Sequence, residues 1–434
     1  MSFPKYPSTR RWGSDGIAEV PEHWVERRLR DVARVVNGFP FDSSLFTPDK
    51  GLPLVRIRDL GRDTTEMRYA GDIVTAALID ATDVLIGMDG DFTVGRWLGS
   101  GQALLNQRVC CVRGRSPMIT RFVEYHLPRP LQAINDVTYS TTVKHLSSGQ
   151  VEAIRIVMPP LDAEVASVVH FLDRETAKID ALIAEQERLI ALLQEKRQAV
   201  ISRAVTKGLD PNAPMKDSGV QWIGCVPTHW SIVRIGRAFR SIGSGSTPPS
   251  DNASYYDDNG VEWINTGDLP DGPISSVARR VSSEAISKFT TLREYPAGAV
   301  VIAMYGATIG KLGILTRPAA VNQACCVLSD GDGVAETFLF YVMLAAREAI
   351  IQLATGGTQP NISQATVRAF SIPVPPIQEQ VSLVAQLEAA LSKFDALATD
   401  AESMIALLRE RRTALITAAV TGQVDVRGLV GTAT

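Results

Sequence analysis

Chemistry in this chain would have to begin at five histidines, five cysteines and one glycine-rich loop. His23, His126, His145, His170 and His229 include none at a metal-ligand spacing from Cys, Asp or Glu, so no metal site is expected. His23 and His229 each precede a tryptophan and read as packing or capping groups rather than catalysts. Cys110, Cys111, Cys225, Cys325 and Cys326 form two adjacent pairs and a single, with no Cys-x-x-Cys. Adjacent cysteines do not close an ordinary disulfide, so these read as reduced thiols packed as small hydrophobes. Gly306-Ala307-Thr308-Ile309-Gly310-Lys311 approaches a phosphate-binding loop. It is one residue short between its glycines, and Leu312 stands where a Ser or Thr would hold magnesium. Gly90-Asp91-Phe92-Thr93-Val94-Gly95-Arg96 reads as its counterpart, glycines again followed by a cation. Either pair of loops contacts DNA phosphate through backbone N–H groups and Lys311 or Arg96, or both are tight turns between strands. No Gly-x-Ser-x-Gly elbow, dinucleotide fingerprint or nuclease-order carboxylate set occurs. Met158 and Val374 stand where an amino-methylating Asn-Pro-Pro-Tyr loop would need its amide. With no catalytic residues, metal or cofactor expected, the residues point to recognition rather than catalysis.

A chain of 434 residues is too long for one ordinary core. It carries 44 Lys plus Arg against 47 Asp plus Glu, a formal net charge of −3, so a polycationic tail protein is excluded. Nucleic-acid binding would have to rest on local basic patches or on basic partners. The N-terminal stretch has no apolar signal-peptide core, and no window approaches 18 uncharged apolar residues, which together predict a cytoplasmic protein.

The chain repeats itself. Val20-Pro21-Glu22-His23-Trp24 recurs as Val226-Pro227-Thr228-His229-Trp230, and Asn106-Gln107 as Asn322-Gln323. Met158-Pro159-Pro160-Leu161 recurs as Val374-Pro375-Pro376-Ile377, and Leu189-Ile190-Ala191-Leu192-Leu193 as Met404-Ile405-Ala406-Leu407-Leu408. Blocks in constant order and near-constant spacing mark two copies of one unit. Each copy opens with short β-branched runs broken by Gly, Pro, Asp and Ser, such as Leu54-Val55-Arg56-Ile57 and Val300-Val301-Ile302-Ala303, which read as strands of a mixed sheet with some helices.

Each copy then enters a stretch without Gly or Pro until Gly208 or Gly422, the punctuation of a long helix. Ile179, Leu182, Leu189, Leu193 and Val200 in the first, and Phe394, Leu397, Met404, Leu408 and Leu415 in the second, fall at heptad-like steps and predict a coiled-coil seam. About 40 residues at ~1.5 Å each span roughly 60 Å. The predicted fold class is α+β: two similar, β-rich globular heads joined by two long helices that form an intramolecular antiparallel coiled coil, with pseudo-twofold repetition. The expected boundaries are a first head at 1–161, helix at 162–208, linker at 209–224, second head at 225–377, helix at 378–422 and tail at 423–434.

A paired head suits a ligand of approximate twofold symmetry, and duplex DNA is the commonest one. Arg and Lys read guanine, Asn and Gln read adenine. The candidate contacts are Arg56, Arg58, Arg96, Gln107 and Lys144 in the first head, and Asn265, Thr266, Lys311, Gln323, Thr358, Gln359 and Asn361 in the second. Apart from the shared Gln107 and Gln323, they differ between copies while the helices agree, as expected if the two heads read different sequences.

The paired Pro-x-His-Trp openings, the Pro-Pro-Leu and Pro-Pro-Ile exits, the Ile-Ala-Leu-Leu helices and the closing Val420-Thr421-Gly422-Gln423-Val424-Asp425-Val426-Arg427 resemble the DNA-specificity subunits of type I restriction–modification systems over nearly the whole chain. The resemblance implies two target-recognition domains, each reading half of an asymmetric bipartite site. It implies helices that set the unread gap and dock two methyltransferase subunits, through which restriction/translocase subunits join, and no catalysis in this chain. Gly356-Gly357-Thr358-Gln359-Pro360-Asn361-Ile362 has a degraded counterpart in Ser140-Thr141-Thr142-Val143-Lys144-His145-Leu146. The competing readings are a coiled-coil adaptor whose heads bind proteins, favoured by the absence of basic surplus, and a nuclease with scattered carboxylates.

Overall fold

The computed structural model describes residues 3–12, 19–138, 143–355 and 360–429. They divide into two compact units, 1–186 with 403–434, and 187–402.

In the first unit a four-stranded antiparallel sheet runs in the order Val94–Gly95, Val84–Gly87, Val109–Gly114, Ala33–Asn37. Its central strands carry the apolar runs Val84–Ile86 and Val109–Val112, buried on both faces, before Arg113 reaches the surface. Val84, Ile86, Cys110 and Val112 face the helix Pro117–His126 and the start of the first long helix, while Leu85, Val109 and Cys111 face a second sheet through Leu54, Val55, Leu104 and Leu105. That second sheet orders Phe46–Thr47, Arg68–Tyr69, Leu52–Val55, Ala103–Leu105, Leu78–Ile79, with Ala103–Leu105 parallel to Leu52–Val55. Ser116 caps the helix by accepting from the Ile119 N–H, and Pro117 takes the first helical position, where no N–H is needed.

The second unit repeats the plan. Its main sheet orders Phe239–Ser244, Cys325–Gly331, Val300–Ala303, Leu312–Leu315, Gly272–Ile274. Val300, Ile302, Cys326 and Leu328 face the helix Glu336–Ala345; Val301, Ala303, Cys325 and Val327 face the other layer. Four cysteines are thus core residues, and burial pushes the Cys110, Cys325 and Cys326 thiols up to about 12; Cys225 is exposed.

The long helices are Asp162–Lys207 and Ile377–Val420, and each gives one half to each unit. In the first unit Ile179 and Ile183 join Leu408 and Leu415, and Asp180 takes the Arg412 guanidinium at 2.8 and 3.3 Å. In the second, Ile201 and Val205 share a core with Leu383, Leu387 and Leu391, Arg197 meets Asp395 at 3.6 Å, and Lys196 lies 5.8 Å from the Phe394 ring. The helices run antiparallel within each unit.

The seam differs from the sequence expectation in phase. Ile179, Leu193, Leu408 and Leu415 are buried, and Val200 and Phe394 half-buried, but Leu182, Leu189, Leu397 and Met404 are 46, 39, 49 and 48% exposed. Their places are taken one residue later by Ile183, Ile190, Ala398 and Ile405. Adjacent apolar pairs such as Leu182-Ile183 and Met404-Ile405 leave the step ambiguous in sequence. The first head resolves it, because Leu172 and Thr176 are buried against it and fix the helix's rotation before the seam begins. From there the inward positions advance by four and three residues in turn, the 3.5-residue period of a coiled coil.

Both helices are gripped at their first turn. Glu164 accepts from the Tyr6 hydroxyl at 2.8 Å and the Trp24 indole at 3.0 Å, with His23 Nε2 at 3.0 Å. Glu379 accepts from the Trp230 indole at 3.0 Å, with His229 Nε2 at 2.8 Å. This is the structural work of the repeated His-Trp pair. Gly208 and Gly422 end the helices at φ of 70° and 71°; a Cβ on Gly422 would lie 2.2 Å from Pro21.

Candidate nucleic-acid interface

In each unit four chain reversals line one edge, joined by backbone hydrogen bonds that do not depend on side chains. In the first unit the Asn106 N–H reaches the Val55 carbonyl at 3.1 Å, the Met88 N–H the Arg108 carbonyl at 2.9 Å, and the Leu146 N–H the Met88 carbonyl at 2.7 Å. In the second, Asn322 reaches Ile264 at 2.9 Å, Met304 reaches Ala324 at 2.8 Å, and Ile362 reaches Met304 at 2.7 Å. The β-bridge between Asp89 and His145 repeats as one between Tyr305 and Asn361. Two glycines back the rows: a Cβ on Gly38 would lie 2.0 Å from the Asn106 carbonyl oxygen, and one on Gly245 only 1.5 Å from that of Val321.

Arg56, Arg58, Gln107 and Lys144 come together on the first row, and Asn265, Thr266, Gln323 and Asn361 on the second. Their availability differs. The Arg56 side chain, 20% exposed, is ion-paired to Asp59 at 3.2 Å and Glu66 at 3.7 Å, whereas Arg58 and Gln107 are exposed. Lys144 Nζ donates to the Asn135 carbonyl at 2.6 Å and its side-chain oxygen at 2.9 Å. Asn265 accepts from Asn322 Nδ2 at 3.1 Å, Gln323 accepts from the Thr247 hydroxyl, and Thr266 is half-buried. Thr358 and Gln359 lie outside the described residues.

The two glycine–cation loops are both hairpin turns, but they are not in register. Ile86 pairs with Val94, while its equivalent Ile302 pairs with Leu312, because the second loop is two residues longer. Lys311 therefore matches Thr93 rather than Arg96. Lys311 is exposed beside Ala303, close to the row. Arg96 sits off the row. Its Nε donates to Glu124 at 2.6 Å, and Glu124 also takes Arg121, which with the Tyr125 hydroxyl reaches Asp173 of the first long helix at 2.7 and 2.6 Å. That network ties head to helix and occupies the Arg96 charge.

Asp89, Arg108, His145 and Tyr305 lie on the rows and escaped the sequence reading. The signal was there: each is a position where the copies differ, Asp89 against Tyr305, Arg108 against Ala324, His145 against Asn361, all 216 residues apart. Among the described residues no three His, Cys, Asp or Glu side chains group as metal ligands, and no helix is long and apolar enough to cross a membrane.

A family model described as the type I restriction modification DNA specificity domain matches twice, at residues 21–191 and 227–403. The chain belongs to that family. It is 28% identical over 429 residues to the type I restriction enzyme EcoBI specificity subunit of Escherichia coli, covering 95% of this chain and 89% of that one. It is 22% identical over 424 residues to the MjaVIII specificity subunit of Methanocaldococcus jannaschii, covering 94% and 95%. Among solved structures, one from a study of complex assembly and conformational transition of the type I R-M system superposes with TM-score 0.70 at 17% identity, covering 93% of this chain and 99% of that one. The HsdS subunit of Thermoanaerobacter tengcongensis gives 0.50 at 17%, covering 95% and 100%. The protein is therefore a DNA sequence-specificity subunit of a type I restriction–modification system, and its part is recognition rather than catalysis. The adaptor and nuclease readings give way to it.

Proposed function

We propose that the heads, residues 1–161 and 225–377, are target-recognition domains that each read one half of an asymmetric bipartite site in double-stranded DNA. The long helices, 162–208 and 378–422, set the unread gap and dock two modification (methyltransferase) subunits, through which restriction/translocase subunits join; 209–224 is a linker and 423–434 a tail. The complex works in the cytoplasm. What carries this reading is one observation: the two rows share their backbone bonding and differ in their side chains, Arg108, Asp89 and His145 against Ala324, Tyr305 and Asn361. A common frame with unlike donors and acceptors suits two different half-sites.

Two experiments test it. Mapping methylated adenine in the host genome should return one interrupted, non-palindromic motif, and loss of this chain should abolish it; a continuous or absent motif refutes the reading. In gel shifts with the modification subunit, Lys311→Ala should weaken binding uniformly and lower the salt slope by about 1. Asn361→Ala should relax one half-site by roughly 1–3 kcal/mol.

A further inference from the structure

We propose that Arg108, held in place by Asp89, reads a guanine in the half-site of the first head, a contact the second head lacks. This rests on the DNA-reading assignment above and deepens it to one residue. Arg108 stands at the tip of the turn closed by the Val109 N–H on the Asn106 carbonyl at 2.9 Å, beside exposed Gln107 and on the row. Its side chain is 57% exposed, and Nη1 lies 3.2 Å from Asp89 Oδ2. The other oxygen of that carboxylate, Oδ1, takes His145 Nδ1 at 2.7 Å. Asp89 is thus pinned on both oxygens by groups from the turns on either side of it, and is itself only 21% exposed.

The contact geometry leaves a specific edge available. With Nη1 on Asp89, the Nε and Nη2 donors lie parallel on the opposite side of the guanidinium. Two parallel N–H groups match the O6 and N7 acceptors of guanine in the major groove. A guanidinium already oriented by a carboxylate loses less conformational freedom on binding than a free one. Of the other candidate cations of this head, Arg58 is exposed with no carboxylate among the described residues to orient it, and the remaining three are taken up. Arg56 is taken up by Asp59, Lys144 by Asn135 and Arg96 by Glu124. In the second head the equivalent triad is Ala324, Tyr305 and Asn361, with no cation and no carboxylate. Asp89 is a positioning residue, and His145 acts through it.

The test selects bound duplexes from a library randomised in both half-sites, using the full-length protein co-purified with its modification subunit. The wild type should show a guanine preference at one position of one half-site. Arg108→Ala should reduce that preference roughly ten- to a hundred-fold and leave the other half-site unchanged. Asp89→Asn should relax the same position, and Arg108→Ala/Asp89→Asn should be no worse there than Arg108→Ala, a non-additivity that a merely structural role for Asp89 would not produce. Arg108→Gln, which keeps the turn polar, should weaken guanine at the same position and guards against a folding artefact in the alanine variant. Uniform weakening over all sequences with a shallower salt slope would make Arg108 a phosphate contact and overturn the proposal while leaving the specificity reading intact. Unchanged preferences would overturn it equally. A wild type with no interrupted motif would sink the specificity reading first, and this inference with it.

Discussion

Replacing Glu164 by alanine strips the first long helix of the group that fastens its opening turn. Three side chains converge on that carboxylate: Tyr6 and Trp24 on Oε1, and His23 on Oε2. Tyr6 is 5% and Trp24 1% exposed, so their donors would be left buried and unpartnered, whereas His23 can turn to water. At about 1–3 kcal/mol for each orphaned buried donor, the two together come to roughly 2–6 kcal/mol. The repeat supplies an internal control. Glu379→Ala orphans one buried donor, the Trp230 indole, while His229 is half exposed and rehydrates, so about 1–3 kcal/mol, half the loss at Glu164, is expected. Because two units need not unfold together, the measurement should be hydrogen exchange with fragment resolution, comparing residues 19–28 with 225–234 in each variant. Glu164→Ala should lower protection in the first segment by more than Glu379→Ala does in the second. Equal losses, or a larger one for Glu379→Ala, would show that the number of buried donors on the carboxylate does not set the strength of the grip.

Other expectations follow from the same geometry. His126 is buried, with Nδ1 lacking a partner among the described residues, and burial pulls its pKa down to about 4. The unfolded chain therefore binds a proton that the folded one refuses, so stability is complete above about pH 6.5 and drains by up to about 3 kcal/mol as pH falls toward 4; His126→Leu should flatten that slope in urea melts of the first unit. On the seam, Ile405→Ala should cost about 2–3 kcal/mol and neighbouring Met404→Ala well under 1 kcal/mol by the same melts; the opposite order would restore the seam to Met404. Under native conditions a thiol reagent should modify one cysteine per chain, Cys225, with the other four reacting only on unfolding. Inserting one heptad in each long helix adds about 10 Å, close to 3 base pairs, so the methylation motif should gain that much gap with both half-sites retained; altered half-sites would exclude the ruler role.

Much of this was legible because the chain is duplicated. Comparing Asn106-Gln107 with Asn322-Gln323, and the Pro-Pro exits with each other, gave the two-head plan and both long helices without any structural input. The phase of the seam was not legible, since Leu189-Ile190 and Met404-Ile405 offer two apolar choices and the decision is made by packing at Leu172 and Thr176. The match of Arg96 to Lys311 failed for a related reason: two extra residues in one hairpin are invisible to residue type but shift the strand register. Asp89, Arg108 and His145 went unread because they are scattered over 57 residues and become neighbours only through the row's backbone bonds.

Those bonds carry an evolutionary implication. Met88 to Arg108 and Leu146 to Met88 are main-chain links, indifferent to which side chain each residue bears. Exchanging an exposed residue on a row should then alter what is read at little cost in folding, so lineages can drift to new targets through small steps while the molecule stays intact.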